Sequence, residues 1–271
     1  MIVDTVAQIR RGKILLVLVL YFAINWLILY ALYNFSSPAF HGAVTWWVAL
    51  IDSLTGSADA EAFDHFPNHL YFLAGKFGWA KILTGLLFES LALGLVAAMF
   101  NSRFVTGGLD RSYNRSFLRL WPHLVLAWLL VNLLTIAVGE FLPRLLAPLT
   151  ETPRRLLALQ VVLLPAGFTL VFGAFMFTIP CLAVYRENIG RAIVRSLRIF
   201  IHNPVTCLVL AALVLALPVA LSTISSNPVR IVESFRPELV YWLLLLGLIV
   251  EMPANFLWMG ATVRFLADQA D

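Results

Sequence analysis

Six stretches of this chain, at about 14–33, 82–100, 120–141, 161–185, 205–222 and 239–263, are apolar over roughly 20 residues each. At 1.5 Å per residue such a run, once helical, crosses a hydrocarbon layer of roughly 30 Å. In lipid a helix also satisfies its own backbone polar groups, which an open strand or loop cannot do. Composition agrees, since 61% of the 271 residues are hydrophobic and 13% are charged. That is about half the charge of an ordinary soluble domain. The expected fold is all-α, a single polytopic transmembrane domain of six helices, with no soluble domain within residues 1–271. The first run follows a basic start, as a signal peptide would. It is too long for one, and it ends in Tyr30-Ala31-Leu32-Tyr33-Asn34-Phe35 rather than in small residues, so it reads as a retained span.

Amphipathic segments lie between the spans. In residues 186–203, Ile189, Ile193, Leu197, Phe200 and Ile201 recur at helical spacing on one face, with Arg191, Arg195, Arg198 and His202 on the other. Such a helix lies flat where acyl chains meet headgroups, its arginines toward phosphate and water. Residues 1–13, with Val6 and Ile9 opposite Asp4, Gln8 and Arg11, read as a second helix of this kind. Trp46, Trp47, Leu50 and Leu54 suggest another within the long polar connection 34–81. Arg111-Ser-Tyr-Asn-Arg115-Ser116-Phe117 echoes Arg191-Ala-Ile-Val-Arg195-Ser196-Leu197. The echo suggests three units, each an interfacial helix followed by a membrane hairpin, as transporter repeats often are.

The basic residues set an orientation. With the amino terminus inside, the inner segments hold twelve Lys and Arg, among them Arg111, Arg115, Arg191, Arg195 and Arg198. The outer segments hold seven: Lys76, Lys81, Arg144, Arg154, Arg155, Arg230 and Arg236. The positive-inside rule then puts both termini in the cytoplasm, the amphipathic helices on the cytoplasmic face, and residues 34–81 in an outer loop of a bacterial inner membrane. The net charge of +4 is a matter of topology and lipid headgroups, and no basic run interleaved with exposed aromatics points to nucleic acid. Cys181 and Cys207 flank the central basic stretch and read as small apolar packing rather than a disulfide.

Ionisable groups within the spans are the sharpest clue, because a charge at mid-bilayer costs several kcal/mol unless paired or wetted. Glu89 lies in the second span and Glu251 in the sixth. Gly247, Glu251 and Asn255 share a face, and Pro253 frees a carbonyl beside them. Ser90, Gly94 and Ala98 form a small-residue ridge that lets another helix approach. Glu89 and Glu251, with Asn25, Asn132 and Asn255, are expected either to line a polar site for a proton, an ion or a headgroup, or to act as hydrogen-bonding links between helices or to a partner subunit. Glu61, His65 and His69, with Asp64 adjacent, recur at the spacing of zinc ligands, but Pro67 interrupts the helix and no fourth ligand is evident, so no metal is expected. Pro165, Pro180, Pro218 and Pro253 are expected to kink the late helices. No metalloprotease pair, phosphate-cradling loop or nucleophile elbow is present, so neither catalytic residues nor a cofactor are assigned.

One resemblance follows from particular residues. Pro180, Glu187-Asn188, Gly190, Ala192, Arg195-Ser196, Arg198 and Asn203, with Gly260-Ala261-Thr262, Phe265 and Asp268 near the end, resemble a group of bacterial membrane proteins related to the membrane domain fused to some glycerophosphodiester phosphodiesterases. The likeness covers residues 180–271 and departs where that group has Tyr before the Asp and a basic residue after it, positions held here by Phe265 and Gln269. It implies about six spans with amphipathic inner helices. It does not imply phosphodiesterase activity, which belongs to a separate catalytic domain. The expected function is a non-enzymatic membrane component, a permease-like subunit or scaffold that contacts lipid and works with protein partners. The alternatives are a small stand-alone transporter using the intramembrane glutamates, and an intramembrane enzyme acting on lipid.

Overall fold

A computed structural model describes residues 2–9, 13–56, 63, 65–104, 113–149, 152–225 and 228–269. Among them there are helices and no strand. In order these are α1 (Ile2–Ile9), α2 (Lys13–Tyr33), α3 (His41–Thr55), α4 (Asn68–Thr84), α5 (Ser90–Phe104), α6 (Tyr113–Leu146), α7 (Pro153–Ala158), α8 (Leu164–Phe175), α9 (Thr178–Tyr185), α10 (Ile189–His202), α11 (Pro204–Ser225), α12 (Pro228–Ser234) and α13 (Leu239–Asp268). Wide π turns at Gly85–Glu89 and Leu159–Leu163 join α4 to α5 and α7 to α8. Six helical runs are long and apolar enough to cross a membrane: Lys13–Tyr33, Asn68–Phe104, Arg119–Leu146, Arg154–Tyr185, Pro204–Ser225 and Leu239–Asp268. The chain is an all-α polytopic membrane protein.

The second run differs from expectation. Its helix begins at Asn68, not at Ile82, so Lys76 and Lys81 sit within it and not in a loop. Their charges lower the local hydropathy, but each finds a carboxylate in the fold and so stays inside. The remainder of 34–81 holds α3, which carries Trp46, Trp47, Leu50 and Leu54 as the pattern required. Helix α3 closes on Gly56, whose φ of 70° lets its N–H reach the Asp52 carbonyl. The expected Pro-rich connection is also shorter than the pattern suggested, because Pro143 lies inside α6.

Proline marks starts more than kinks. Pro153, Pro204 and Pro228 open α7, α11 and α12, where a first-turn N–H has no helical acceptor to lose. Pro165 stands second in α8, after the π turn, and Pro180 third in α9, after the break at Met176–Phe177. Pro218 and Pro253 lie within α11 and α13.

The described chain forms two compact units, residues 1–17, 86–216 and 254–271 in the first and 18–85 and 217–253 in the second. In the first, the ridge Ser90, Gly94 and Ala98 is buried, with Gly94 against Leu124 of α6. Helix α9 packs on α5, and α1 is seated by the fully buried Thr5, which meets Gly260 of α13. Cys181 and Cys207 are buried free thiols. In the second unit, Tyr33, Phe35, Phe63 and Phe66 surround His69 at ring-centroid distances of 4.8 to 6.2 Å. Trp26 Nε1 donates to the Tyr241 hydroxyl at 3.3 Å. Many of the large apolar side chains left uncovered, such as Leu16, Leu27, Leu133 and Leu213, lie on the spanning helices, as lipid-facing surfaces require.

Candidate functional site

The second unit concentrates charge inside the apolar helices. Lys76 and Lys81 are five residues apart on α4, about 140° around the helix, so they serve different neighbours. Lys76 pairs with Asp52 of α3, and both side chains are nearly closed off, at 5% and 10% exposure. Lys81 pairs with Glu251 of α13 at 2.5 Å, with 22% and 31% of these side chains exposed. The two pairs therefore differ in kind: the first is sealed and the second is reachable.

The second pair is reached through a cavity of about 690 Å³ that lies within this unit. Its walls are apolar and aromatic, with Phe72, Trp79 and Leu244 among them, together with the hydroxyls of Ser222 and Ser225. Gly75, Gly78 and Gly247 also line it, and a Cβ built on any of the three would meet nothing within 4 Å. Glu251 lies about 18 Å along α13 from Leu239, roughly the depth of half a hydrocarbon layer.

In the first unit Glu89 ends the π turn, 9% exposed, and accepts a hydrogen bond from Asn255 Nδ2 at 3.1 Å. Asn255 Oδ1 in turn accepts from Trp258 Nε1 at 3.3 Å. A π turn displaces one residue from the α-helical register, and such turns are frequent at functional sites. Of the five polar residues singled out from sequence, the fold thus joins Glu89 to Asn255 and gives Glu251 a lysine. Asn25 and Asn132 instead donate to carbonyls one turn back on their own helices, Tyr21 at 3.0 Å and Trp128 at 2.9 Å. Asp52, Lys76 and Lys81 were not read as site residues, and the one signal for them was the pair of lysines beside an otherwise apolar run.

Helix α10 is the other chemically marked element. The preceding turn fixes its start: Arg186 adopts φ 51°, and Asn188 caps α10 by accepting from the Arg191 N–H at 3.0 Å. Glu187 then takes both Nε and Nη2 of Arg195, at 3.0 and 3.3 Å, and the guanidinium lies 4.1 Å from the centre of the Tyr185 ring. Burial works against the Arg195 charge, but the hydrogen bond and the carboxylate of Glu187 outweigh it and raise the pKa above its ordinary value. A concavity of about 480 Å³ opens here, lined by Arg191, Arg195 and Arg198 beside Val194 and Leu266. The residues that α10 buries are Ala192, Ser196 and Ile199, at the edge of the expected apolar stripe, while Ile201 stays 71% exposed. The stripe is thus shared between the protein and its surroundings. Ser196 donates to the Ala174 carbonyl at 2.7 Å, in the last turn of α8, where helical partners run out. Ser196→Ala is expected to cost about 1 kcal/mol in thermal unfolding, whereas Ser196→Thr, which keeps the hydroxyl, costs less.

Arg111 lies outside the described residues, and Arg115 falls in the first turn of α6. Glu61 and Asp64 of the considered zinc set also lie outside them, while His65 is exposed and His69 is enclosed by rings. No group of three His, Cys, Asp or Glu that could hold a metal occurs among the described residues.

Fold and site together define a multi-pass α-helical membrane protein with acid–base pairs set into its helices and an arginine-lined concavity on an amphipathic helix. Comparison with protein-family models, with curated proteins and with solved structures finds no match to this chain.

Proposed function

We propose that this chain is a non-enzymatic component of a bacterial inner membrane that contacts and handles lipid, as a permease-like subunit or scaffold working with protein partners. The observation that carries this reading is the concavity on α10. Arg191 and Arg198 are exposed on the wall where Arg195 is already held by Glu187, and apolar Val194 and Leu266 lie beside them. That is the chemistry of an anionic phospholipid headgroup at the membrane surface. Both termini are placed in the cytoplasm. Lys76 and Lys81 support this, since each is neutralised within a helix and neither acts as a loop charge. The proposed kinship with the membrane domain of some glycerophosphodiester phosphodiesterases rests on the residues of α10 and the end of α13.

The test is mass spectrometry of the full chain extracted in native lipid particles, identifying every protein and lipid that accompanies it. Phosphatidylglycerol is expected to be enriched over the bulk membrane. Arg191→Gln with Arg198→Gln is expected to weaken that enrichment by about 30-fold in affinity, at about 1 kcal/mol for each arginine. A stoichiometric protein partner supports the subunit reading. No anionic lipid and no partner, with the variants behaving as the parent, would remove it. The stand-alone transporter is favoured by one observation, the cavity that reaches the Lys81–Glu251 pair.

A further inference from the structure

We propose that the cavity of the second unit is a binding site for a zwitterionic amphiphile, a phosphoethanolamine-headed lipid, whose phosphate faces Lys81 and whose ammonium faces Glu251.

Charge balance argues first. Among the described residues the charged ones lining the cavity are Lys76, Lys81 and Glu251, and the Lys76 ammonium is turned to Asp52. The charges of these described residues balance, and the reachable ones form an ion pair. A monoanion or a monocation entering would leave a net charge in a low-dielectric, intramembrane setting, where an uncompensated charge costs several kcal/mol. A zwitterion brings both signs and sets each against its opposite, so the neutrality of the site is preserved. The 22% and 31% exposure of the two side chains leaves them accessible to such a headgroup, which the sealed Asp52–Lys76 pair is not.

The shape of the site argues second. A cavity of about 690 Å³ is of the size that holds one drug-sized body. Along α13 its lining runs from Leu243 to Glu251, about 12 Å, with the ion pair at the end away from the 226–238 connection. The largely apolar walls suit an acyl chain, and the polar groups are gathered at the ion pair and the hydroxyls of Ser222 and Ser225. Gly75, Gly78 and Gly247 keep this space open, since any side chain there would project into it. Gly247 and Glu251 are one helical turn apart on α13, so a single helix supplies both the room and the acid.

The inference deepens the lipid-handling reading, but it concerns a different site and a different headgroup from those of α10. The two can therefore fail separately. The full chain, delipidated in detergent, is titrated with phosphatidylethanolamine or phosphatidylglycerol of identical acyl chains, and bound lipid is counted by native mass spectrometry. One phosphatidylethanolamine is expected to bind with about tenfold preference over phosphatidylglycerol. Gly247→Leu fills open space on a helix and leaves the ion pair in place, and it is expected to abolish this binding with no fall in melting temperature. Lys81→Met with Glu251→Gln removes both charges of the pair together, and it is expected to bring the headgroup preference close to unity. Arg191→Gln with Arg198→Gln is expected to leave it unchanged. Equal binding of the two lipids, a preference for phosphatidylglycerol, absence of bound lipid, or binding that survives both the Gly247 and the double variant would each overturn the proposal.

Discussion

Lys76→Met is expected to cost about 3–5 kcal/mol of stability, the penalty for removing one partner of a buried ion pair. Lys76 and Asp52 are 5% and 10% exposed, so water cannot take over the role of the missing ammonium. Asp52→Leu with Lys76→Met removes both charges and is expected to recover most of the loss, because hydrophobic replacement of a buried pair is often close to neutral. Lys81→Met should cost clearly less than Lys76→Met, since Glu251 remains 31% exposed to the cavity. Chemical unfolding in a single detergent, read for the parent and all three variants, checks the order. Identical midpoints for Lys76→Met and the parent would refute a structural role for the sealed pair.

Gly260→Ala is expected to be the second most damaging change, at about 1–3 kcal/mol of overpacking strain. A Cβ there would collide with Thr5 Cγ2 and lie 2.8 Å from Phe100 Cζ. Thr5 and Phe100 are both fully buried, and a β-branched threonine has few rotamers with which to escape. The strain should therefore dislodge α1, and faster hydrogen exchange across residues 2–9 together with a lower melting temperature would show it. Gly94→Ala is the instructive contrast. Its Cβ would meet the Leu124 methyls, the mobile tip of a longer side chain, so a smaller loss is expected. Gly75, Gly78 and Gly247 face open space, and alanine there should leave the melting temperature unchanged or higher.

The spans were legible because partition into lipid is a local property of about 20 consecutive side chains, and so was the two-faced pattern of α10, which needs one helical period and no partner. Glu89, Glu251 and Asn255 were likewise visible, since an ionisable or amide group in an apolar run stands out whatever its neighbours do. Their pairing was not. Glu251 lies 170 residues from Lys81, and Asn255 lies 166 from Glu89. Asn25 and Asn132 look the same in sequence as Asn255, yet each turns back onto its own helix.

The extent of the second helix shows the same division. The sequence by itself determined that the chain carries six apolar helices with amphipathic segments between them, because hydropathy and helical period are read from neighbours along the chain. Only the tertiary structure decided that Lys76 and Lys81 belong inside a helix beginning at Asn68, that one pair is sealed while the other faces a cavity, and that three glycines hold that cavity open. A charge is tolerated within an apolar helix when an opposite charge is brought to it, and that partner is supplied by folding.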